Sequence, residues 1–257
     1  MHKVIVSLTS FPAAISYATQ AVKSILAGSV LPDKIVLYLT FSQFVDIGIP
    51  EDLTNLEKNN PIFEIRNYPL EIRSYRKLIP ALQDFPDATI VTIDDDVYYH
   101  KNMLRDILRL HEQYPKAVLA HRAKLMKPDK PYREWKKYRW YHFIFKRINS
   151  SFLNIQTGVG GVLYPPHSLK KELLDVSLFT KIAPTTDDIW FWAAAVANDT
   201  PIIPIPFGHN KPRGLKKPRE LSLKTVNFKS GIDNNSAALC AILEHFPEIK
   251  KKISTGK

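Results

Sequence analysis

Short apolar runs and amphipathic stretches alternate along the chain. Residues 4–8 form a largely apolar run of strand length, broken by Thr9-Ser10-Phe11-Pro12. After that break Ile15, Ala18, Val22, Ile25 and Leu26 recur at helical spacing. Leu31-Pro32-Asp33 marks a turn and residues 34–39 read as a second strand, so the opening is a βαβ unit with parallel pairing and a right-handed crossover. Residues 63–67 read as a weaker strand and 75–82 as a helix. Residues 88–93 form a β-branched strand that runs directly into Asp94-Asp95-Asp96. A helix over 103–111 and a strand over 117–120 continue the alternation, which is the pattern of an α/β fold with a Rossmann-like sheet flanked by helices.

From Arg122 to Asn154 the pattern changes to mixed basic and aromatic residues, including Trp135 and Trp140, and reads as an insertion or lid. Thr157-Gly158-Val159-Gly160-Gly161 is a glycine-rich turn before a strand ending at Tyr164. Asp187-Asp188 opens an apolar helix through Ala197, and 202–205 reads as the last strand of the sheet. Residues 208–229 are proline-rich and basic, and 234–246 form a final helix. The expected division is one domain over 1–207, with halves at about 1–121 and 122–207. A basic C-terminal extension over 208–257 packs on the same domain.

Composition narrows this picture. A content of 45% hydrophobic residues suits a packed core and excludes global disorder. The longest apolar runs fall short of the ~20 residues a membrane span needs. The N-terminal run is too brief for a signal-peptide core, and the lone Cys240 forms no internal disulfide. A cytoplasmic location follows as the expectation. A net charge of +11 predicts attraction to polyanions, among them phosphorylated small molecules and an anionic membrane face.

The acidic triplet carries the chemistry. Alternation along an extended strand end puts Asp94 and Asp96 on one side and Asp95 on the other. Two converging carboxylates favour a hard cation, Mn²⁺ or Mg²⁺, that also meets substrate phosphates. Ligands of open α/β sheets bind at the carboxyl ends of strands, where this triplet lies. Arg73 and Lys77 are candidates for charge-assisted contacts to a diphosphate. One of Asp187 and Asp188 suits a helix N-cap. Gly158, Gly160 and Gly161 permit close backbone approach to a ligand, and Trp135 and Trp140 offer ring faces to a sugar. Lys211, Arg213, Lys216, Lys217 and Arg219 suit phosphates of a lipid-linked acceptor or of a bilayer surface.

These residues resemble the GT-A superfamily of glycosyltransferases, in particular the family 2-like bacterial enzymes of capsule and lipopolysaccharide synthesis. The resemblance rests on residues 4–12, 92–98, 157–165 and 185–192. It implies a metal-dependent transfer from a nucleotide-sugar, with UDP the expected nucleotide, to a glycan or lipid-linked glycan. It further implies that Thr9, Ser10 and Phe11 hold the base and ribose, with Asp94 and Asp95 at the donor. Asp96 would bind the metal with Asp94 and His209, and Asp188 would be the base of an inverting reaction, with Asp187 beside it. Ala14 departs from the pattern, which has an arginine there, so that donor contact is either missing or supplied by Arg73 or Lys77. The resemblance also makes 1–207 a catalytic domain, with the nucleotide-sugar half at about 1–121 and the acceptor half at 122–207. Two other readings use the same residues: a sugar-phosphate nucleotidyltransferase, or a non-enzymatic polyanion or nucleic-acid binder. The first lacks its glycine-rich loop after strand one, and the second lacks a recognised motif, so no nucleic acid is expected. The transferred sugar, the acceptor and the oligomeric state are not legible.

Overall fold

The structure, a computed structural model, describes residues 2–139, 143, 150–205, 211–216 and 233–254. The chain runs β1 (Val4–Thr9), α1 (Ile15–Leu26), β2 (Lys34–Leu39), α2 (Glu51–Asn59), β3 (Phe63–Asn67), a 3₁₀ turn (Arg73–Lys77), α3 (Ile79–Asp84) and β4 (Thr89–Thr92). It continues through β5 (Val97–Tyr98), α4 (Met103–Gln113), β6 (Val118–Ala120), β7 (Ala123–Leu125), β8 (Lys136–Lys137), β9 (Asn154–Gln156) and β10 (Val162–Tyr164). The last elements are α5 (Val176–Ile182), α6 (Asp187–Ala197), β11 (Ile202–Pro204), β12 (Arg213–Gly214), α7 (Asn234–His245) and α8 (Pro247–Ser254).

Seven strands form one sheet in the order β11-β6-β10-β4-β1-β2-β3. The pairs are parallel except at β10, which runs antiparallel to both β4 and β6. Both faces are covered, which is why the strands read as apolar runs with little alternation. Ile5, Val36, Ile90 and Ala120 pack on one face with Tyr75, Ile79 and the residues of α6. Val6, Leu37, Val91 and Leu119 pack on the other with α1 and with Met103, Leu104 and Ile107 of α4.

Helix α6 is apolar on every side, unlike a surface helix with one buried stripe. Its Ile189–Val196 stretch lies between the sheet and the C-terminal helices, which send Ala238, Leu239, Ile242, Ile249 and Ile253 into the same core. Residues 234–254 are therefore part of the layer that buries α6. The expected helix over 75–82 is divided: a 3₁₀ turn ends at Lys77 and α3 starts at Ile79, with Pro80 in its first turn, where a missing N–H costs nothing. Among the described residues no helix is long and apolar enough to cross a membrane.

Candidate active site

The carboxyl ends of β1, β2, β3 and β4 lie along one edge of the sheet. Because β10 is antiparallel and pairs Val162 with Thr92, its amino end reaches the same edge and brings the glycine turn 157–161 against the acidic triplet. The start of α6 completes the group.

Strand β4 ends at Thr92, and Asp95 and Asp96 occupy a turn leading to β5. Strand alternation therefore does not set their directions, a correction to the expectation that the triplet continues the strand. Hydrogen bonds fix the turn. The Asp94 N–H donates to the Tyr99 hydroxyl (2.8 Å), and the Tyr99 N–H donates to Ser24 Oγ on α1 (3.0 Å). The Asp96 carbonyl accepts from the Leu215 N–H (2.7 Å), beside the short pairing of β12 with β5. The Asp94 carboxylate faces Lys77, whereas Asp95 accepts from Ser10 Oγ (2.5 Å).

Lys77 is the centre of the site. Its ammonium lies 3.0 Å from Asp187 and 3.2 Å from Asp94, and its side chain is 8% exposed. Burial acts to lower its pKa, but Asp187, Asp94 and Asp188 together hold it well above the usual lysine value. The diphosphate contact expected of Lys77 thus competes with two carboxylates already in place. Asp187 also accepts from Ser74 Oγ (2.8 Å). Both carboxylates of 187–188 lie in the first turn of α6 and the N-cap is Thr186, so the capping role expected of one of them falls to neither. That position is still favourable for anions, because the free N–H groups and helix dipole point at them.

Asp188 is treated differently from its neighbour. Both its oxygens accept from the Gly158 N–H, at 3.1 and 3.2 Å. Its pKa is raised to about 7, chiefly by burial and further by Asp187 and Asp94, while Lys77 and the Gly158 N–H oppose the rise. The Gln156 amide donates to the Asp188 carbonyl (3.2 Å) and so ties β9 to the head of α6. Gly158 is required by contact: a Cβ there would sit 2.7 Å from Lys77 Nζ and 2.9 Å from Asp94 Oδ1. Gly160 and Gly161 are required by backbone, with φ of 102° and 97°.

The loop after β1 is held from below by Arg76, which is 2% exposed. Its Nε donates to Thr9 Oγ1 (2.8 Å), its Nη2 to the Ser10 carbonyl (3.1 Å), and its Nη1 to Thr40 Oγ1 and to Glu71 (3.1 Å). Thr9 Oγ1 in turn donates to the Tyr38 carbonyl (2.8 Å), so Thr9 is engaged within the loop's scaffold. Phe11 is 38% exposed and available at the edge. Arg73 is exposed, with a left-handed φ of 53°, and its N–H donates to Glu71 (3.0 Å).

Arg76, Tyr99 and Gln156 were not singled out in the sequence. Arg76 shares one short basic segment with Arg73 and Lys77, and only the 3₁₀ geometry decides which of them turns inward. Trp135, expected to present a ring face, is 3% exposed, and its indole N–H donates to the carbonyls of Lys127 (3.1 Å) and Lys130 (2.9 Å). Trp140, His209, Lys217 and Arg219 lie outside the described residues.

Among the described residues no three His, Cys, Asp or Glu side chains group as a metal cage. Mg²⁺ and Mn²⁺ need less when a substrate diphosphate supplies ligands, since one or two carboxylates then suffice. Asp96, on the turn, suits that role. Asp94, already paired with an ammonium, is the weaker donor.

The sequence matches no protein family model and no curated protein. Solved structures do match its fold. Residues 1–349 of S. aureus TarS align at 15% identity with a TM-score of 0.56, over 95% of this chain and 72% of that one. The same fragment has been solved with UDP and with UDP-GlcNAc. The mannosyltransferase PcManGT from Pyrobaculum calidifontis, in complex with GDP-Man and Mn²⁺, aligns at 13% identity with a TM-score of 0.56, over 99% of this chain and 74% of that one. The fold is thus the GT-A type seen in glycosyltransferases.

Proposed function

We propose that the protein is a glycosyltransferase that moves a sugar from a nucleotide-sugar to an acceptor hydroxyl, with Asp188 as the base. The observation that carries this reading is the Asp188 carboxylate, held by the Gly158 N–H at the head of α6 beside the acidic turn, with burial pushing its pKa up. A carboxylate whose pKa is raised from its usual range towards neutrality is basic enough to take a proton from a hydroxyl as it attacks. The Gly158 N–H fixes the orientation of that carboxylate.

Attack on the anomeric carbon from the side opposite the nucleoside diphosphate gives inversion, with the C–O bond to the diphosphate breaking as the new one forms. Asp188 receives the acceptor proton and the diphosphate leaves with the bonding pair. Lys77 pairs with both Asp187 and Asp94 and offsets part of their charge, which leaves Asp188 as the carboxylate of the group with no direct ion pair to Lys77 to meet the reacting hydroxyl. Phe11 and the loop it belongs to would hold the base of the donor, on a scaffold set by Arg76. Asp96 would hold a Mn²⁺ or Mg²⁺, which supplies positive charge to the departing diphosphate. Lys211, Arg213 and Lys216, in the segment paired to the acidic turn through β12, add cationic charge close by and suit a phosphate-bearing or membrane-bound acceptor.

The test is a thermal-shift screen of UDP-, GDP-, CDP- and dTDP-sugars with and without Mn²⁺, followed by product analysis of any donor that binds. Stabilisation by one nucleotide class is the expected result. Response to oligonucleotides alone would overturn the reading, and NMR of the product's anomeric centre would decide inversion.

A further inference from the structure

Beside Asp188 lies a group of side chains that the transfer chemistry does not use. The Arg122 carbonyl, just after β6, accepts from the N–H (2.9 Å) and the hydroxyl (3.3 Å) of Thr157, the residue before Gly158. Arg122 is half-buried, and among the described residues its guanidinium has no hydrogen bond or ion pair. Tyr132 is also half-buried, with its N–H on Ser236 Oγ (2.8 Å) and its carbonyl accepting from Lys124 Nζ (2.8 Å). Its phenol is close enough to Asp188 and Arg122 for both charges to act on it: burial raises its pKa, Asp188 adds to the rise and Arg122 opposes it.

Behind them Lys124 is 8% exposed, with Nζ 3.5 Å from the centre of the Tyr132 ring. Its pKa is lowered to about 8, chiefly by burial and further by Lys137 and Arg122, with Asp233 opposing. The Asp233 carboxylate is occupied at the N-terminus of α7, where it accepts from Asn235, Ser236 N–H and Ser236 Oγ. Positive charge here is desolvated and under-compensated, an arrangement that costs stability unless an anion completes it.

We propose that Arg122, with the Tyr132 phenol beside it and Lys124 behind, forms an anion-binding acceptor subsite next to Asp188. The acceptor is then a polyhydroxyl compound carrying a phosphate or carboxylate near the hydroxyl that reacts. The assignment rests on the transferase reading of Asp188. A planar guanidinium matches the two oxygens of either anion through paired N–H donors, and the phenol adds a third donor or bridges to the reacting hydroxyl. A neutral sugar would leave this half-buried guanidinium, which has no hydrogen bond or ion pair among the described residues, without a counter-charge.

Titration of the full chain with glucose 6-phosphate, glucuronate and glucose tests this, with UDP and GDP titrated in parallel. The expected result is salt-sensitive binding of an anionic sugar to wild type, weakened about tenfold or more in Arg122→Ala and partly kept in Arg122→Lys, with nucleotide binding unchanged. The tighter of the two anions identifies phosphate or carboxylate. Binding of neither anion to wild type, equal binding by glucose, or equal binding by R122A would overturn it. Loss of nucleotide binding in R122A would move the guanidinium to the donor side and overturn it as well. Failure of wild type to bind any nucleotide would instead count against the transferase reading, with the anion result still readable.

Discussion

The Gly158 N–H lies 3.1 and 3.2 Å from the two oxygens of Asp188, while the face of Gly158 where a side chain would stand is 2.7 Å from Lys77 Nζ. One residue therefore orients the proposed base and leaves room for the cation that neutralises its neighbours. In Gly158→Ala the added methyl displaces the ammonium from Asp94 or Asp187, at a cost of about 1–3 kcal/mol. Chemical denaturation should show this loss, together with a loss of activity larger than the loss of stability alone explains.

Replacing Lys77 by Met leaves the buried Asp187 and the half-buried Asp94 without their cation. Breaking such a pair costs about 3–5 kcal/mol. Chemical denaturation of K77M and wild type checks this. A variant as stable as wild type would mean that Lys77 carries little of the charge balance.

Stability depends on pH through Asp188. With its folded pKa raised to about 7, the folded protein holds the proton more tightly than the unfolded chain, so the group's contribution is present at low pH and is lost as pH rises towards 7. Asn does not ionise. The stability of Asp188→Asn relative to wild type should therefore increase by about 1–3 kcal/mol between pH 4 and pH 8.

Arg76 holds Thr9, the Ser10 carbonyl, Thr40 and Glu71 in one hub. Arg76→Met leaves several buried polar atoms unsatisfied, at a cost of about 2–4 kcal/mol. It should also weaken nucleotide affinity more than it changes the rate at saturating donor, because the loop it supports is on the donor side. Calorimetric titration with the preferred nucleotide separates the two effects.

The fold was legible in the sequence because its strands are buried on both faces: residues 4–8, 34–39 and 88–93 stand out as apolar runs bounded by turn residues. The glycine turn and Asp187-Asp188 were also visible, since each is a local pattern. What the sequence did not carry is the fine geometry where patterns end. The strand ends at Thr92, so Tyr99 holds the Asp94 backbone while Lys77 and Ser10 direct the Asp94 and Asp95 carboxylates, in place of strand alternation. Arg76 could not be told from Arg73, because a 3₁₀ turn has a different period from the α-helix expected there. Trp135 looked like a surface ring within a basic stretch, but its indole closes the loop 127–135. Tyr132, far from Asp188 in sequence, reaches its neighbourhood only through the packing of the insertion on the sheet.

The central claim, that Asp188 is the base of sugar transfer, is tested most directly by the pH dependence of nucleoside diphosphate release in wild type and D188N, using the donor found by the nucleotide screen. The account predicts a wild-type rate that rises with pH and levels off above an apparent pKa near 7. It also predicts a rate lowered by about 10²–10⁴-fold in D188N, with nucleotide binding retained. A near-normal rate in D188N, or a wild-type rate flat from pH 5 to pH 8, would contradict it.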